Sequence, residues 1–441
     1  MKLRFAPSPT GYLHLGNTRT LLINYLLAQQ LGADFILRLD DTDNARCKPE
    51  YVDQIIADLA WLGVNYSHIV KQSGRNALYQ KAIEHLKSDG YLYPCFESKE
   101  ELDFKRKRQL SQGRPPLYDQ AALSLTRQQI QNLMDQGHQP HWRFKISPDM
   151  IQWQDLAHGT LSFEGAHLSD PVVIRGDGTP LFTLVGIIDD LDMKITHIVR
   201  GDDHITNTAV QLQIAKAMGA DPTQFSFAHV PLLTDASGAG LSKRLGSLSL
   251  KDLQAEGYEP YAIANYLSTL GMGEKPLHTT SYADLTGHLD LSKLGKSSPK
   301  FSMDDLKRTN SDILHHLNFD QVSFRHDNLT ADFWQAVQGN LNTQSDLQGL
   351  LDICFGQITP IITDDVFIKL ALDQLPPEPW SQHTWGQWTQ ALSQQTERKG
   401  KSLYMPLRLA LTAQEHGPEM KKLLPYVGYA KAQKRLNGET I

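Results

Sequence analysis

Cysteine is scarce: three in 441 residues, at positions 47, 95 and 354, which is no disulfide framework and points to a reducing compartment. Long apolar runs are missing too. No stretch of about 18 consecutive apolar residues occurs, so no transmembrane helix is predicted, and the opening "MKLRFAPSPTG" lacks the apolar core of a secretory signal. A cytoplasmic location without membrane contact is expected. An excess of positive charge is also absent: 43 Lys and Arg stand against 49 Asp and Glu, a formal net charge of −6. That balance argues against non-specific coating of nucleic acid and leaves room for a local basic groove. Two basic runs, "FKRKRQ" (104–109) and "KAQKR" (431–435), read either as phosphate contacts or as solvated helix faces. Internal repeats, low-complexity tracts and coiled-coil heptads are not found, and the length suits roughly three domains.

What is present is a strand-to-helix turn of unusual composition. "PSPTGYLHLGN" (7–17) follows the strand-like "LRFA" and precedes "TLLINYLLAQQLG", where Leu22, Tyr25, Leu26 and Gln29 fall at helical spacing and Gly32 stops the helix. His14 therefore stands just before a helix N-terminus, whose free N–H groups and dipole suit an anion. Gly11 and Gly16 allow close approach to the backbone. Further on, "DFILRLDDTD" is an apolar strand (Phe35 to Leu39) ending in carboxylates, and helices are expected at 49–63 and 76–89. From about 95 to 180 the pattern changes to charged helices and short strand-like pieces, which reads as an insertion. The α/β alternation resumes with "ITHIVRGDDH", the helix "NTAVQLQIAKAMG", the strand "FAHVPLL" and the glycine-rich loop "TDASGAGLSKRLGS"; beyond about 250 the chain reads as mostly helical. Three polar clusters, "RFAPSPTGYLHLG", "RLDDTD" and "VRGDDH", thus begin where apolar strands end. In open parallel α/β sheets that is where ligands bind, so the three should converge on one pocket.

These motifs, with "VDQIIADLAWLGV", "LDLSKLGKSSPKFSMDDLKRTN" and "KGKSLYMPLRLALT", resemble bacterial glutamyl-tRNA synthetase, a class I aminoacyl-tRNA synthetase family, in order along nearly the whole chain. "HLGN" (14–17) corresponds to the family's HIGH signature and "LSKRL" (241–245) to its KMSKS loop. The resemblance implies an α/β fold: a Rossmann-like catalytic domain split by an acceptor-stem-binding insertion, then an all-helical anticodon-binding region. The expected limits are 1–94 and 182–240 for the catalytic halves, 95–181 for the insertion, 241–318 for the KMSKS-like loop and stem-contact region, and 319–441 for the helical part. The implied reaction joins L-glutamate to ATP as glutamyl-adenylate, then transfers the acyl group to the terminal adenosine of tRNA(Glu), in some enzymes also of tRNA(Gln). Mg²⁺ accompanies ATP, and a monomer is expected.

By the same resemblance, His14 and Lys243 are the catalytic residues, and ATP is bound by His14, Gly16, Lys243 and Arg244. Glutamate falls to Arg4, Ser8, Asp40, Phe182 and Arg200, with Arg4 and Arg200 on the side-chain carboxylate and Asp40 on the ammonium group. The assignment is chemically sensible, since guanidinium forks match carboxylates. The plainer alternatives are an Arg4–Asp40 ion pair at the sheet edge, and an Arg200 that only braces Asp202 or Asp203. Three positions depart from many family members: Asp40 stands where glutamate is common, Phe182 where tyrosine is, and Gly240 where lysine is. Many relatives also open the insertion with a Cys-x-Cys zinc knob. Here "YPCFES" supplies Cys95 alone, with Glu97 in the second place, and Cys95, His138 and His141 make a poor ligand set, so no zinc is expected. The main rival readings are glutaminyl-tRNA synthetase, which ends in β-barrels, the shorter enzyme that glutamylates queuosine in tRNA, an adenylyltransferase acting without tRNA, and an inactive tRNA-binding paralogue.

Overall fold

The structure is a computed structural model describing residues 1–43, 45–241, 248–326 and 328–441. It divides into two compact units, the first made of Met1–Lys251, Leu267–Lys275 and Tyr282–Ser302, the second of Asp252–Tyr266, Pro276–Ser281 and Met303–Ile441.

The first unit begins with alternating strands and helices: β1 (Lys2–Phe5), α1 (Leu15–Gln30), β2 (Asp34–Leu39), α2 (Pro49–Trp61), β3 (Ile69–Lys71) and α3 (Asn76–Ser88). The strands pair in parallel, Leu3 beside Phe35 and Leu37 beside Ile69. Leu3, Phe35, Ile36, Leu37 and Leu39 are all buried, the near-continuous apolar run expected of strands covered on both faces. Helix α1 is buried on most of its circumference, including Thr18, Arg19 and Asn24, so it is a core helix; Gln29, expected on its inner stripe, is exposed. Arg19 donates to the carbonyls of Pro231 (2.6 Å) and Leu270 (2.7 Å), which fixes the helix from inside.

The chain then forms β4 (Leu92–Cys95), α4 (Lys99–Ser111), α5 (Arg127–Asp135), β5 (His141–Phe144), β6 (Met150–Asp155), β7 (Gly159–Glu164) and β8 (Val172–Ile174). Strands β4, β5 and β8 make a separate antiparallel sheet. The β6–β7 hairpin, which falls inside the region read as an insertion, instead joins the main sheet, β6 lying beside β10 with Asp155 opposite Phe227. Next come α6 (Phe182–Asp192), β9 (His197–Gly201), α7 (Ile205–Ala217) and β10 (Ser226–Val230), with β9 and β10 parallel. The Thr196 N–H, just before β9, donates to the Lys2 carbonyl at 2.9 Å, which sets the sheet of β7, β6, β10 and β9 beside the sheet of β1, β2 and β3. Winding therefore runs outward one way through β1, β2 and β3 and the other way through β9 and β10. The crevice beyond β1 and β9 is the switch point of a doubly wound sheet.

The remaining helices are α8 (Leu250–Ala255), α9 (Pro260–Thr269), α10 (Tyr282–His288), α11 (Met303–His316), α12 (Ala331–Val337), α13 (Gln344–Cys354), α14 (Asp365–Asp373), α15 (Thr384–Thr396), α16 (Lys401–Thr412), α17 (Met420–Val427) and α18 (Tyr429–Leu436). The division between units falls within α8 and α9. Among its described residues the second unit has no strand, and its core gathers Ile313, Phe333, Leu347, Phe367, Trp388, Leu407 and Leu424. The indole N–H groups of Trp334 and Trp388 donate to the Leu317 and Ala371 carbonyls, so neither buried ring leaves its polar atom unmet.

Candidate active site

A cavity of about 830 Å³ lies at the switch point, beyond the carboxyl ends of β1, β2 and β9. Its wall includes Arg4, Ser8, His14, Gly16, Asp40, Phe182, Arg200 and Gly240. The three polar clusters at strand ends do share one pocket. Lys243 and Arg244 lie outside the described residues, but both flanks of their segment are placed: Gly240 and Leu241 line the cavity, and the Leu250 N–H donates to the Leu13 carbonyl at 2.8 Å, next to His14.

His14 is the N-cap of α1. Its Nδ1 accepts from the backbone N–H groups of Gly16 (3.1 Å) and Asn17 (3.3 Å), so the neutral ring carries its proton on Nε2. Desolvation lowers the pKa of His14, which favours that neutral form. The imidazole thus caps the helix with one nitrogen and keeps an N–H donor on the other. Gly16 is small for a steric reason: a Cβ there would stand 3.1 Å from His14 Nδ1 and Cε1 and press the ring out of place.

The acid and base groups on the cavity floor form a buried network. Arg4 Nε donates to Asp190 Oδ1 at 3.0 Å, so its partner is Asp190 on α6 and not Asp40. Arg38 donates to both Asp40 oxygens, at 2.7 and 3.1 Å, and to Asp190 Oδ1 at 2.7 Å. Burial pushes the Asp40 carboxyl up to about 6 against the pull of Arg38 and Arg4. Burial acts the same way on Asp190, but Arg4 and then Arg38 outweigh it and hold this carboxyl below its ordinary value. Arg200 is different. It is buried, at 7% exposure, yet its hydrogen bonds run to the Thr208 hydroxyl (2.5 Å) and to His229 Nε2 (3.5 Å), and among the described residues no carboxylate hydrogen-bonds to it. Burial, and next the charge of Arg4, bring its pKa down to about 9. A buried guanidinium in that position is a strong anion receptor.

Residues 1–308 match the family model described as tRNA synthetases class I (E and Q), catalytic domain, and residues 330–438 match the model described as Anticodon binding domain. The chain belongs to the class I glutamate and glutamine tRNA synthetases. It is 48% identical over 440 residues to glutamate–tRNA ligase 2 of Gluconobacter oxydans, covering 99% of both chains. To the glutamate–tRNA ligase of Azospirillum brasilense it is 46% identical, covering 99% of this chain and 98% of the other. A crystal structure of a glutamate tRNA ligase from Elizabethkingia meningosepticum, solved in complex with its amino acid, superposes with a TM-score of 0.81 at 26% identity, covering 99% and 98% of the two chains.

Within this synthetase fold, sequence reasoning missed the residues that hold the site residues in place: Arg38, Asp190, Thr208 and His229. Arg38 was within reach, because two residues from Asp40 on a strand it must share Asp40's face. Asp190 and His229 were not, since their partners lie far away in the chain. In the basic run 431–435, Arg435 is fully buried and donates to the Leu411 carbonyl and Lys431 donates to the Cys354 carbonyl, while Lys434 is exposed. The run 104–109 lies on α4, which has no buried residue.

Around Cys95, opposite His141 on β5, the described residues make no group of three or more His, Cys, Asp or Glu side chains that could hold a metal ion. The Cys95 thiol, pushed up to about 11 by burial, lies 3.6 Å from the Tyr118 hydroxyl. Glu97 is taken by that same hydroxyl (2.5 Å) and by Lys105. Arg143 lies over the Tyr118 ring at 3.9 Å.

Proposed function

We propose that this chain is a glutamate–tRNA ligase that uses ATP, and that Arg200 receives the side-chain carboxylate of glutamate. The observation that carries the reading is the buried Arg200 guanidinium, which among the described residues has no carboxylate hydrogen-bonded to it, facing a cavity whose other described guanidiniums, Arg4 and Arg38, are already paired with Asp190 and Asp40. Glutamate and glutamine differ little in size, so discrimination must come from charge, and a pocket built for a carboxylate leaves a buried cation unpaired when an amide enters. Arg4, neutralised by Asp190, adds a second guanidinium edge to the same wall. Asp40 takes the α-ammonium, which replaces the burial penalty on its charged form with an ion pair. Ser8 and Phe182 complete the wall.

An oxygen of the glutamate α-carboxylate attacks the α-phosphorus of ATP, the bond to pyrophosphate breaks, and glutamyl-adenylate forms. The terminal ribose hydroxyl of tRNA then attacks the acyl carbon and AMP leaves. His14, with Nε2–H as a donor, stabilises charge on the phosphates, and Gly16 leaves its ring room to do so. Lys243 stabilises the departing pyrophosphate, helped by Arg244; the reading is supported by the placement of both flanks of their segment at the cavity. Mg²⁺ enters with ATP, held chiefly by phosphates and water, and no zinc is required. Residues 330–438, matched by the anticodon-binding model, read the tRNA. ATP–pyrophosphate exchange with tRNA present, followed by charging of purified tRNA(Glu) and tRNA(Gln) side by side, tests the proposal. Exchange that depends on glutamate supports it, and exchange with glutamine alone overturns it; the charging arms show whether tRNA(Gln) is a second substrate.

A further inference from the structure

His229 on β10 is fully buried, and nothing in the reaction calls for it. Its Nδ1 stands 2.6 Å from Asp155 Oδ2, so Nδ1 carries the proton and donates it to the carboxylate. The other carboxylate oxygen, Oδ1, accepts from the backbone N–H groups of Ala157 (3.0 Å), His158 (3.0 Å) and His229 itself (3.3 Å), so Asp155 cannot turn. The ring is held in plane by Phe227, stacked at 6.0 Å. With Nδ1 protonated, Nε2 is a bare acceptor. The Thr208 hydroxyl has one proton, and its shorter contact, 2.8 Å to Nε2 against 3.2 Å to the His204 carbonyl, directs it to the imidazole. The lone pairs of Thr208 then receive Arg200 Nη2–H at 2.5 Å, while Arg200 Nε–H faces His229 Nε2 at 3.5 Å.

We propose that Asp155 and His229 are positioning residues for Arg200: a buried relay that fixes the guanidinium on neutral acceptors and keeps its charge for the carboxylate of the incoming substrate. The inference rests on the reading of Arg200 as the glutamate receptor. A carboxylate in direct contact with Arg200 would hold it equally still but would compete with the substrate. Set back behind an imidazole and a hydroxyl, Asp155 orients without competing. It also gives the β6–β7 hairpin a function, because the hairpin brings Asp155 to the strand that carries His229.

In Asp155→Asn the amide oxygen can keep the backbone N–H groups, which turns its NH₂ toward Nδ1 and moves the imidazole proton to Nε2, against Thr208 and Arg200. Steady-state charging by the full-length enzyme should then show a glutamate KM raised about tenfold, a usual size for groups coupled in one hydrogen-bond network, with the ATP KM unchanged. His229→Leu, which has no acceptor, should do the same, whereas His229→Gln, whose side-chain oxygen can face Thr208, should stay within about threefold of the parent. Should Asp155→Asn fail to fold, the isosteric Thr208→Val carries the same expectation. Combined with Arg200→Gln, Asp155→Asn should add no further loss. An unchanged glutamate KM, equal rises for glutamate and ATP, or additive losses in the double variant overturn the relay. If instead Arg200→Gln alone leaves the glutamate KM unchanged, it is the assignment of Arg200 that fails.

Discussion

At the scale of single residues, two guanidinium groups that look equivalent in sequence have different tasks. Arg4 is bound to Asp190, while among the described residues Arg200 hydrogen-bonds to uncharged groups alone. Arg200→Gln should raise the glutamate KM and lower kcat/KM by about 3 kcal/mol, roughly a hundredfold, since it removes a charged hydrogen-bond partner in a buried site. Arg4→Gln also strips Asp190 of a cation, so it should cost folded stability as well as glutamate affinity. Charging kinetics together with thermal melts separate the two; similar stability losses in both variants would show that Arg200 is only a brace. Asp40 predicts a pH effect. Its pKa of about 6 means that the carboxyl is increasingly neutral below that value, and a neutral carboxyl cannot pair with an ammonium. The kcat/KM for glutamate reports groups of the free enzyme, so it should fall as pH drops through about 6, and Asp40→Asn should lose that limb. An unchanged acid limb in Asp40→Asn assigns the titration elsewhere.

At the scale of elements, most of what the sequence made legible was local. The strand ends, the helix starting behind His14 and the stop at Gly32 all follow from periodicity and punctuation within a few residues. The cavity followed from one topological rule applied to three strand ends. What could not be read are pairings between distant segments, such as Arg4 with Asp190 or Asp155 with His229, because chain separation hides contact. The β6–β7 hairpin escaped for the same reason: a hairpin inside an insertion and a hairpin on the edge of the main sheet have the same sequence signature. The end of α1 allows a separation of roles. His14→Asn should keep an N-cap oxygen for the first N–H groups but lose the Nε2–H donor. Its melting temperature should stay close to that of the parent while adenylate formation drops on the order of a hundredfold. His14→Ala should lose both, with about 1 kcal/mol of stability gone. If His14→Asn activates glutamate at the parental rate, the far nitrogen has no part in the chemistry.

At the scale of the whole molecule, the chain does not divide where its composition changes. The sequence predicts a boundary at 319, yet the second unit also takes Asp252–Tyr266, Pro276–Ser281 and the segment from Met303. Ala262, Ile313, Leu314 and Leu317 are buried in its core, together with Phe333, Leu347 and Trp388. Removing residues 319–441 would leave those four side chains with their partners gone. Each fully buried Ile or Leu side chain is worth about 1.5–3 kcal/mol, so exposing Ile313, Leu314 and Leu317 costs an amount comparable to the total stability of an ordinary domain. The truncated protein should therefore bind a hydrophobic dye and melt with reduced cooperativity, and its failure to charge tRNA would reflect that damage as much as a missing anticodon reader. A truncated protein that melts as sharply as the parent and stays monomeric would show that the second unit is not one cooperative core. Anticodon reading is better tested in the full chain, by substituting exposed side chains of α15 to α18 and comparing kcat/KM for tRNA with the tRNA-dependent rate of ATP–pyrophosphate exchange. A substitution that raises the KM for tRNA while leaving the glutamate KM unchanged acts on recognition alone, and no truncation can isolate that effect.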